Sequence, residues 1–415
     1  MAQAQSVSAT AATRATGTFS AFQNSNFRLY FIGQLISTSG TWMQIIAQGY
    51  LVYKLTQSEL WLGIVACAAG APMLFVAPFA GVFVERLPRR AVLVWTQSIL
   101  MLLAFILAAL VVTDTVQIWH IVALALALGT VNAFDAPARQ AIISDMIDKE
   151  LLSAGIAMNS IIVNGSRALG PTAATAVLAT LGAGWCFFLN GLSFVAVIVT
   201  LLMLHMNPHP RPVKFEPALK QMREGLAYVR HHTTVLPLLL LSAGGAFFCW
   251  ATLALFPSFA DVILHSPTDG YGIISATNGV GAVIAGLLVG TMSNRFGRGR
   301  VMIVTGVGTA ISIVALALTT TIPAAAVVSL VFGFCVIGFF VNINTAIQLE
   351  IPNEFRGRVL SLYTLSIIGL NPFGSLLLGF VAQVAGDPIG LALYGVIVGV
   401  IVVTIASRFP QVWEI

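Results

Sequence analysis

The chain has 415 residues and a formal net charge of +5, with 58% hydrophobic and only 8% charged residues, where soluble domains carry roughly 25%. Its mean hydropathy is +0.93, which excludes a water-soluble globular protein. The apolar residues form continuous blocks of about 20, enough for a helix to cross roughly 30 Å of hydrocarbon, and lack the alternation of a membrane barrel. A spanning segment must satisfy its own backbone, so an all-α membrane protein is expected.

Met1 to Thr18 is rich in Ala, Thr, Ser and Gln and has no apolar core. It reads as part of a disordered cytoplasmic tail, 1–27, and not as a signal peptide. Helices are then predicted over 28–53, 59–84, 91–112, 116–138, 151–181 and 184–205. After a polar stretch they resume over 234–263, 270–293, 301–320, 323–348, 358–384 and 388–408. These are twelve spans in two six-helix bundles, 28–205 and 234–408, with a cytoplasmic linker at 206–233 and a tail at 409–415. In the linker Pro208, Pro210, Pro212 and Pro217 end span six and stiffen the chain. Leu219, Met222, Leu226 and Val229 then share one helical face, which suits a helix in the membrane interface or a plain solvated linker helix. Cys67, Cys186, Cys249 and Cys335 each lie in an apolar block without a C-x-x-C pair, so they read as packing residues.

Lysine and arginine set the orientation. With both termini inside, 18 of the 20 fall on the cytoplasmic side, leaving Lys54 outside and Arg167 within a span. Glu59, Asp114, Asp261, Asp269 and Asp387 are assigned to the outer loops. The turn after span two, Gly81-Val-Phe-Val-Glu85-Arg86-Leu-Pro-Arg89-Arg90, returns after span eight as Gly290-Thr-Met-Ser-Asn294-Arg295-Phe-Gly297-Arg298, 209 residues later. A six-plus-six duplication explains that offset and is the architecture of a rocking transporter.

These turns, with Asp135-Ala-Pro-Ala-Arg139-Gln140, Asp145-Met-Ile-Asp-Lys-Glu-Leu-Leu, Arg167-Ala-Leu-Gly170-Pro171, Arg223-Glu-Gly-Leu-Ala-Tyr-Val-Arg230 and Glu354-Phe-Arg356-Gly357-Arg358, resemble the major facilitator superfamily. The likeness runs from about Phe27 to Arg408, and is strongest to the drug-efflux and enterobactin-exporter branch, the transmembrane secretion effectors. The branch implies a gate: Glu85 against the start of span eleven near Arg356 and Gly357, and Arg86 or Arg90 paired with Asp135. Two departures stand out. Glu85 and Pro88 replace the usual Asp and Gly, and Asn294 removes the acid from the second copy. Arg86, Arg89 and Arg90 also suit the negative end of span two's dipole, so they serve either the gate or topology alone.

Arg167 lies near the middle of span five, where a charge costs at least about 2.5–3.5 kcal/mol. It either binds an anionic or carbonyl-bearing substrate or holds a helix in register. With no acid at its depth, Gln44, Gln48, Asn132 or Asn164 is its expected partner. Asp135 is the one acid placed inside a span, and is a candidate for proton carriage as well as for the gate. Gly170-Pro171 and Asn371-Pro372 fall at similar depth in corresponding spans, as helix breaks for gating or as packing kinks; the branch's antiporters carry such a Gly-Pro pattern. Trp42, Phe247, Phe248 and Trp250 lie near the midplane, and Gln44, Gln48, Asn132, Asn164, Arg167, Trp250, Asn278, Asn342 and Asn371 are the candidates for a substrate cavity. Gly279, Gly281, Gly286 and Gly290 suggest close helix packing in span eight.

No G-x-x-x-x-G-K-[ST], H-E-x-x-H or G-x-S-x-G occurs, which disfavours an ATP-driven pump, an intramembrane protease and a lipase. No cofactor, metal or nucleic-acid partner is expected. The reading is a monomeric secondary exporter of a small amphipathic or hydrophobic molecule, of drug or siderophore class, in a bacterial inner membrane. The proton gradient as driver comes from the resemblance. A lysolipid flippase, a small-metabolite importer and a non-transporting scaffold or sensor remain open alternatives.

Overall fold

The computed structural model describes residues 18–147, 151–204 and 218–415. Most of the expected N-terminal tail and the four linker prolines lie outside these. Six long helices come first: α1 Ser25–Thr56, α2 Glu59–Arg86, α3 Arg89–Val112, α4 Ile118–Met146, α5 Leu152–Thr180 and α6 Ala183–Met203. The linker helix α7 is Ala218–Arg230, followed by α8 Val235–Phe248, a 3-10 segment Trp250–Leu255 and α9 Phe256–Val262. The chain ends with α10 Asp269–Phe296, α11 Arg298–Leu318, α12 Ile322–Glu350, α13 Asn353–Ala385 and α14 Asp387–Arg408.

Ten segments, counting α8 to α9 as one, are long and apolar enough to cross a membrane. This is a multi-pass membrane protein. α1 and α5, of 32 and 29 residues, bring the long segments to twelve and are more polar. On α1, Gln34, Ser37, Thr41, Gln44 and Gln48 recur at helical spacing, so a single stripe carries the polarity. A helix with such a stripe turns it away from lipid.

The duplication is visible in the packing. α1 packs on α5 and α6, α2 on α4, and α3 on α4 and α6. Six spans later α8 packs on α13 and α14, α10 on α12, and α11 on α12 and α14. The halves meet through another matched pair, α2 on α13 and α5 on α10. Gly182 at the α5–α6 turn and Gly386 at the α13–α14 turn have φ of +86° and +89°, a conformation that costs an L side chain. They occupy equivalent places in the two halves.

Three expectations change. Span seven is not one helix over 234–263: it loosens to 3-10 geometry at 250–255, a form that marks hinges within long helices. Conversely, α5 and α13 run unbroken through Pro171 and Pro372. On α7 the buried residues are Gly225 and Val229, while Leu226 is exposed. Its contacts are protein, with Tyr228 stacked on Phe355 at 4.5 Å and Glu224 paired with Arg358 at 3.0 Å, so it is docked on the start of α13. The C-terminal residues are docked as well: the Gly299 N–H donates to the Ile415 carbonyl at 2.9 Å and Val412 is fully buried.

The halves touch at the end carrying the α1–α2 and α13–α14 hairpins and part at the end carrying the termini. Gly272, Gly279, Gly286 and Gly290 lie on one face of α10. A Cβ on Gly272 would meet Thr175 and one on Gly279 the Arg167 carbonyl, whereas Gly286 and Gly290 have nothing within 4 Å. Of the four glycines expected to pack closely, Gly279 does so, as does Gly281, whose Cβ would meet the Leu330 carbonyl, while Gly286 and Gly290 do not, so close contact between the halves lies toward the hairpins. There, a Cβ on Gly63 would sit 2.7 Å from the Ser375 carbonyl, and Ser58 Oγ donates to Gln383 Oε1 at 2.5 Å. Toward the termini a cleft of about 450 Å³ separates α2 and α4 from α13, lined by Met73, Leu74, Ala77, Gln140, Leu360 and Leu365. The protein is sealed at one end and open at the other.

Gly279→Leu is expected to pry the hairpin end apart. A short bifunctional thiol reagent should cross-link Ser58→Cys with Gln383→Cys in a background lacking the native cysteines. Adding Gly279→Leu should cut that yield several-fold; an unchanged yield would show that the α5–α10 contact does not hold this end shut.

Candidate functional site

A partly open cavity of about 280 Å³ lies among α1, α2, α3, α4 and α6, flanked by Leu253, Ala254 and Pro257 from the loosened span and Tyr271 of α10. That is near the lower end of the ~300–1,000 Å³ usual for small-molecule pockets. Ile45, Leu62, Val65, Leu100 and Leu128 form its apolar wall. The α1 stripe, with Asn132, Asn190 and Gln97, forms the polar one. Asn190 Nδ2 donates to Gln44 Oε1 at 2.6 Å, which orients the Gln44 amide.

Gln44, Gln48 and Asn132 therefore line the cavity as expected. Asn164 does not: it is half-buried and donates to the Ser160 carbonyl of its own helix at 2.9 Å. Asn278 and Asn342 are buried between helices of the second half, where Asn278 Nδ2 donates to the Ser329 carbonyl at 3.4 Å and Asn342 accepts from Ser293 Oγ at 2.6 Å. Asn371 is half-buried on α13 outside the cavity. Sequence placed the cavity symmetrically between the halves; in the structure it is built mostly by the first.

Asp135 is the centre of a charged network, with different partners from those expected. α4 continues to Met146, so Asp135 lies three turns inside the helix and is fully buried. It accepts from Thr96 Oγ1 at 2.7 Å and Gln97 Nε2 at 2.8 Å, and is salt-bridged to Arg139 one turn along the same helix. Arg90 is engaged elsewhere, donating to the Leu204 and Leu202 carbonyls at 3.1 and 2.5 Å. Arg89 pairs with Asp145 at 2.7 Å and donates to the Ala141 carbonyl at 3.0 Å. Gly81, Glu85 and Arg86 fall in the last turns of α2; their side chains, and with them the approach of Glu85 to Arg356, lie outside the described residues. Arg356 is exposed, and Gly357 has nothing within 4 Å of a Cβ position. Sequence reasoning missed Arg139 as a site residue although it quoted the residue. The signal was its i,i+4 spacing from Asp135.

Arg167 is buried, at 6% exposure, but none of the four amides expected beside it is its partner. Its guanidinium lies 5.3 Å from the Trp42 ring and 4.6 Å from the Trp250 ring. Indole faces attract a cation, so two midplane aromatics became its clamp. Gly170 and Pro372 serve close packing: a Cβ on Gly170 would strike Trp42, and Pro372 fills the space beside Gly70 of α2. Asp387, assigned to an outer loop, is in the first turn of α14 and only 3% exposed.

A profile described as transmembrane secretion effector matches residues 16–414. The chain belongs to that family. It is thereby a secondary transporter of the major facilitator superfamily, as the motifs implied. The staphyloferrin A transporter of Staphylococcus aureus is 24% identical over 367 residues, 86% of this chain and 90% of that protein. Macrolide efflux protein A of Streptococcus pyogenes is 24% identical over 95% of this chain and 98% of its own. The crystal structure of a bacterial homolog to the human lysosomal transporter Spinster, in an inward-facing and unoccupied conformation, superposes with a TM-score of 0.68 over 94% of this chain and 96% of that one, at 14% identity.

Removing one partner of a buried pair leaves an uncompensated charge, worth about 3–5 kcal/mol. Asp135→Asn and Arg139→Gln should each lower the melting temperature of the purified protein, and the double substitution should recover much of that loss. Additive losses would mean that the two side chains are not coupled.

Proposed function

We propose that this transporter exports a small amphipathic or hydrophobic molecule, of the drug or siderophore class, from the bacterial inner membrane by alternating access. The observation that carries this reading is the cavity, apolar on one wall and amide-lined on the other, in a protein whose halves pack closely toward the hairpins and are parted by a cleft toward the termini. The excess of Lys and Arg at the termini end argues that it is cytoplasmic. The structure then corresponds to the state that loads from the cell interior. Bundles 28–205 and 234–408 would rock about the α2–α13 and α5–α10 contacts as the two ends exchange, within a single chain acting as a monomer.

The proton gradient is the proposed driver, with Asp135 as the carboxylate that takes the proton. Asp135 is buried, and its partner Arg139 lines the cavity. Neutralising Asp135 would free Arg139, so proton and substrate act on one ion pair. That is a direct route to coupling.

The test is accumulation of drugs and siderophores in an efflux-deficient bacterium expressing the chain, with and without a protonophore. Lower accumulation that the protonophore restores is expected; correct insertion with unchanged accumulation across the panel would sink the export reading. Asp135→Asn should change the affinity for any substrate found by about tenfold, the usual scale of a coupling free energy, and slow its export. Export at the wild-type rate would remove Asp135 from the coupling.

A further inference from the structure

Arg139 and Arg167 both lie well inside long helices, and they are treated differently. Arg139 is neutralised by Asp135. Arg167 has no such partner: among the described residues no carboxylate lies within ion-pair distance and no acceptor receives its N–H groups, although it is only 6% exposed. The two tryptophan faces attract its charge but do not replace in-plane acceptors. The indole Nε1 of Trp250 is also buried without an acceptor. A cation and a neutral donor are thus gathered at one place in the span, and no acceptor answers either. Leaving such groups unmatched destabilises the protein, unless something that binds there supplies the acceptor.

The position suits a ligand. Trp42 belongs to the first half and Trp250 to the second, at the loosened part of span seven. Thr41, next to Trp42, and Leu253 and Ala254, one turn beyond Trp250, line the cavity. The Arg167 carbonyl abuts Gly279 where the halves meet. We infer that Arg167 and Trp250 form an oxyanion subsite, which receives a carboxylate-type group of the exported molecule while its apolar body lies against Ile45, Leu62 and Leu128. A planar guanidinium presents paired N–H groups that match the two oxygens of a carboxylate, and among the described residues no protein acceptor engages them. Arg139 is the weaker candidate, because Asp135 already occupies it. The inference rests on the export reading for the origin of the ligand, and it narrows the substrate class to amphiphiles carrying an acidic group.

Dansylaminoundecanoic acid and its methyl ester share a fluorophore and an apolar chain and differ in the charge. Titrated into the purified full chain in nanodiscs, the acid is expected to bind about tenfold tighter than the ester, the scale of a hydrogen bond to a charged group. Arg167→Gln should reduce that preference to about twofold or less without weakening the ester. Arg167→Lys, which keeps the charge but not the fork, should fall between. Trp250→Phe keeps a ring and removes the N–H, and should cost the acid about threefold while sparing the ester. Equal affinity for acid and ester in the unaltered chain overturns the inference, as does an Arg167→Gln protein that keeps the full preference. Should Arg167→Gln fail to fold, the unaltered chain and Trp250→Phe still decide. A chain that exports its substrates without discriminating acid from ester loses the subsite alone, whereas one that prefers the acid but exports nothing loses the export reading alone.

Discussion

Hydrocarbon offers no hydrogen bonds, so each polar side chain in a span has to be turned toward protein or toward a wet cavity. That constraint organises the molecule. α1 is the least apolar of the long helices, and α5 carries a buried arginine. The stripe on α1 becomes the polar wall of the cavity, and Arg167 on α5 is placed between the two halves. The helices on which polarity is thinnest are free to face lipid, and their exposed Leu, Val, Ile and Phe side chains do so without cost.

A second consequence concerns movement. The two halves meet mainly through two matched helix pairs, and glycines pressed against backbone carbonyls make much of that contact. Small residues let helices approach closely and separate again without leaving large cavities. The single face of α10 tells the story: the glycines near the hairpins are pressed against α5, and those toward the termini face open space. Rocking one half against the other would exchange which glycines are in contact. The 3-10 stretch in span seven gives the second half a soft element beside the cavity, where a change in packing reaches both Trp250 and the residues that cap it.

The charged groups divide into two kinds. Asp135 and Arg139 satisfy each other, with Thr96 and Gln97 completing the carboxylate's bonds, so the pair is closed at rest. Arg167 is held by aromatic faces and is chemically incomplete. A transporter has to bind its cargo in one state and release it in another, and a site finished only by the cargo serves that need better than a pair that is already closed.

Much of this was legible in the chain itself. Continuous apolar blocks dictated helices, twelve long segments and a membrane, because hydrocarbon length and backbone satisfaction leave no other solution. The turn repeated 209 residues apart announced the duplication, since a paired motif at half the chain's length has one economical cause. Gln44 and Gln48 were candidates for the cavity, and they line it. What sequence could not decide was partnership. Asp135 was expected to pair with Arg86 or Arg90 across helices, but α4 runs eight residues beyond its expected end at 138, and the buried carboxylate is salt-bridged to Arg139 of its own helix. Arg167 was expected to meet an amide and met two tryptophans, because the helices that bring Trp42 and Trp250 to it are more than 200 residues apart in the chain. Pro171 and Pro372 could be read as helix breaks or as packing kinks; their helices run on, and span seven loosened instead. Periodicity records which face of a helix turns inward; which side chains then meet, and which end of the bundle is shut, depends on the packing of several helices at once, and only the tertiary structure decided it.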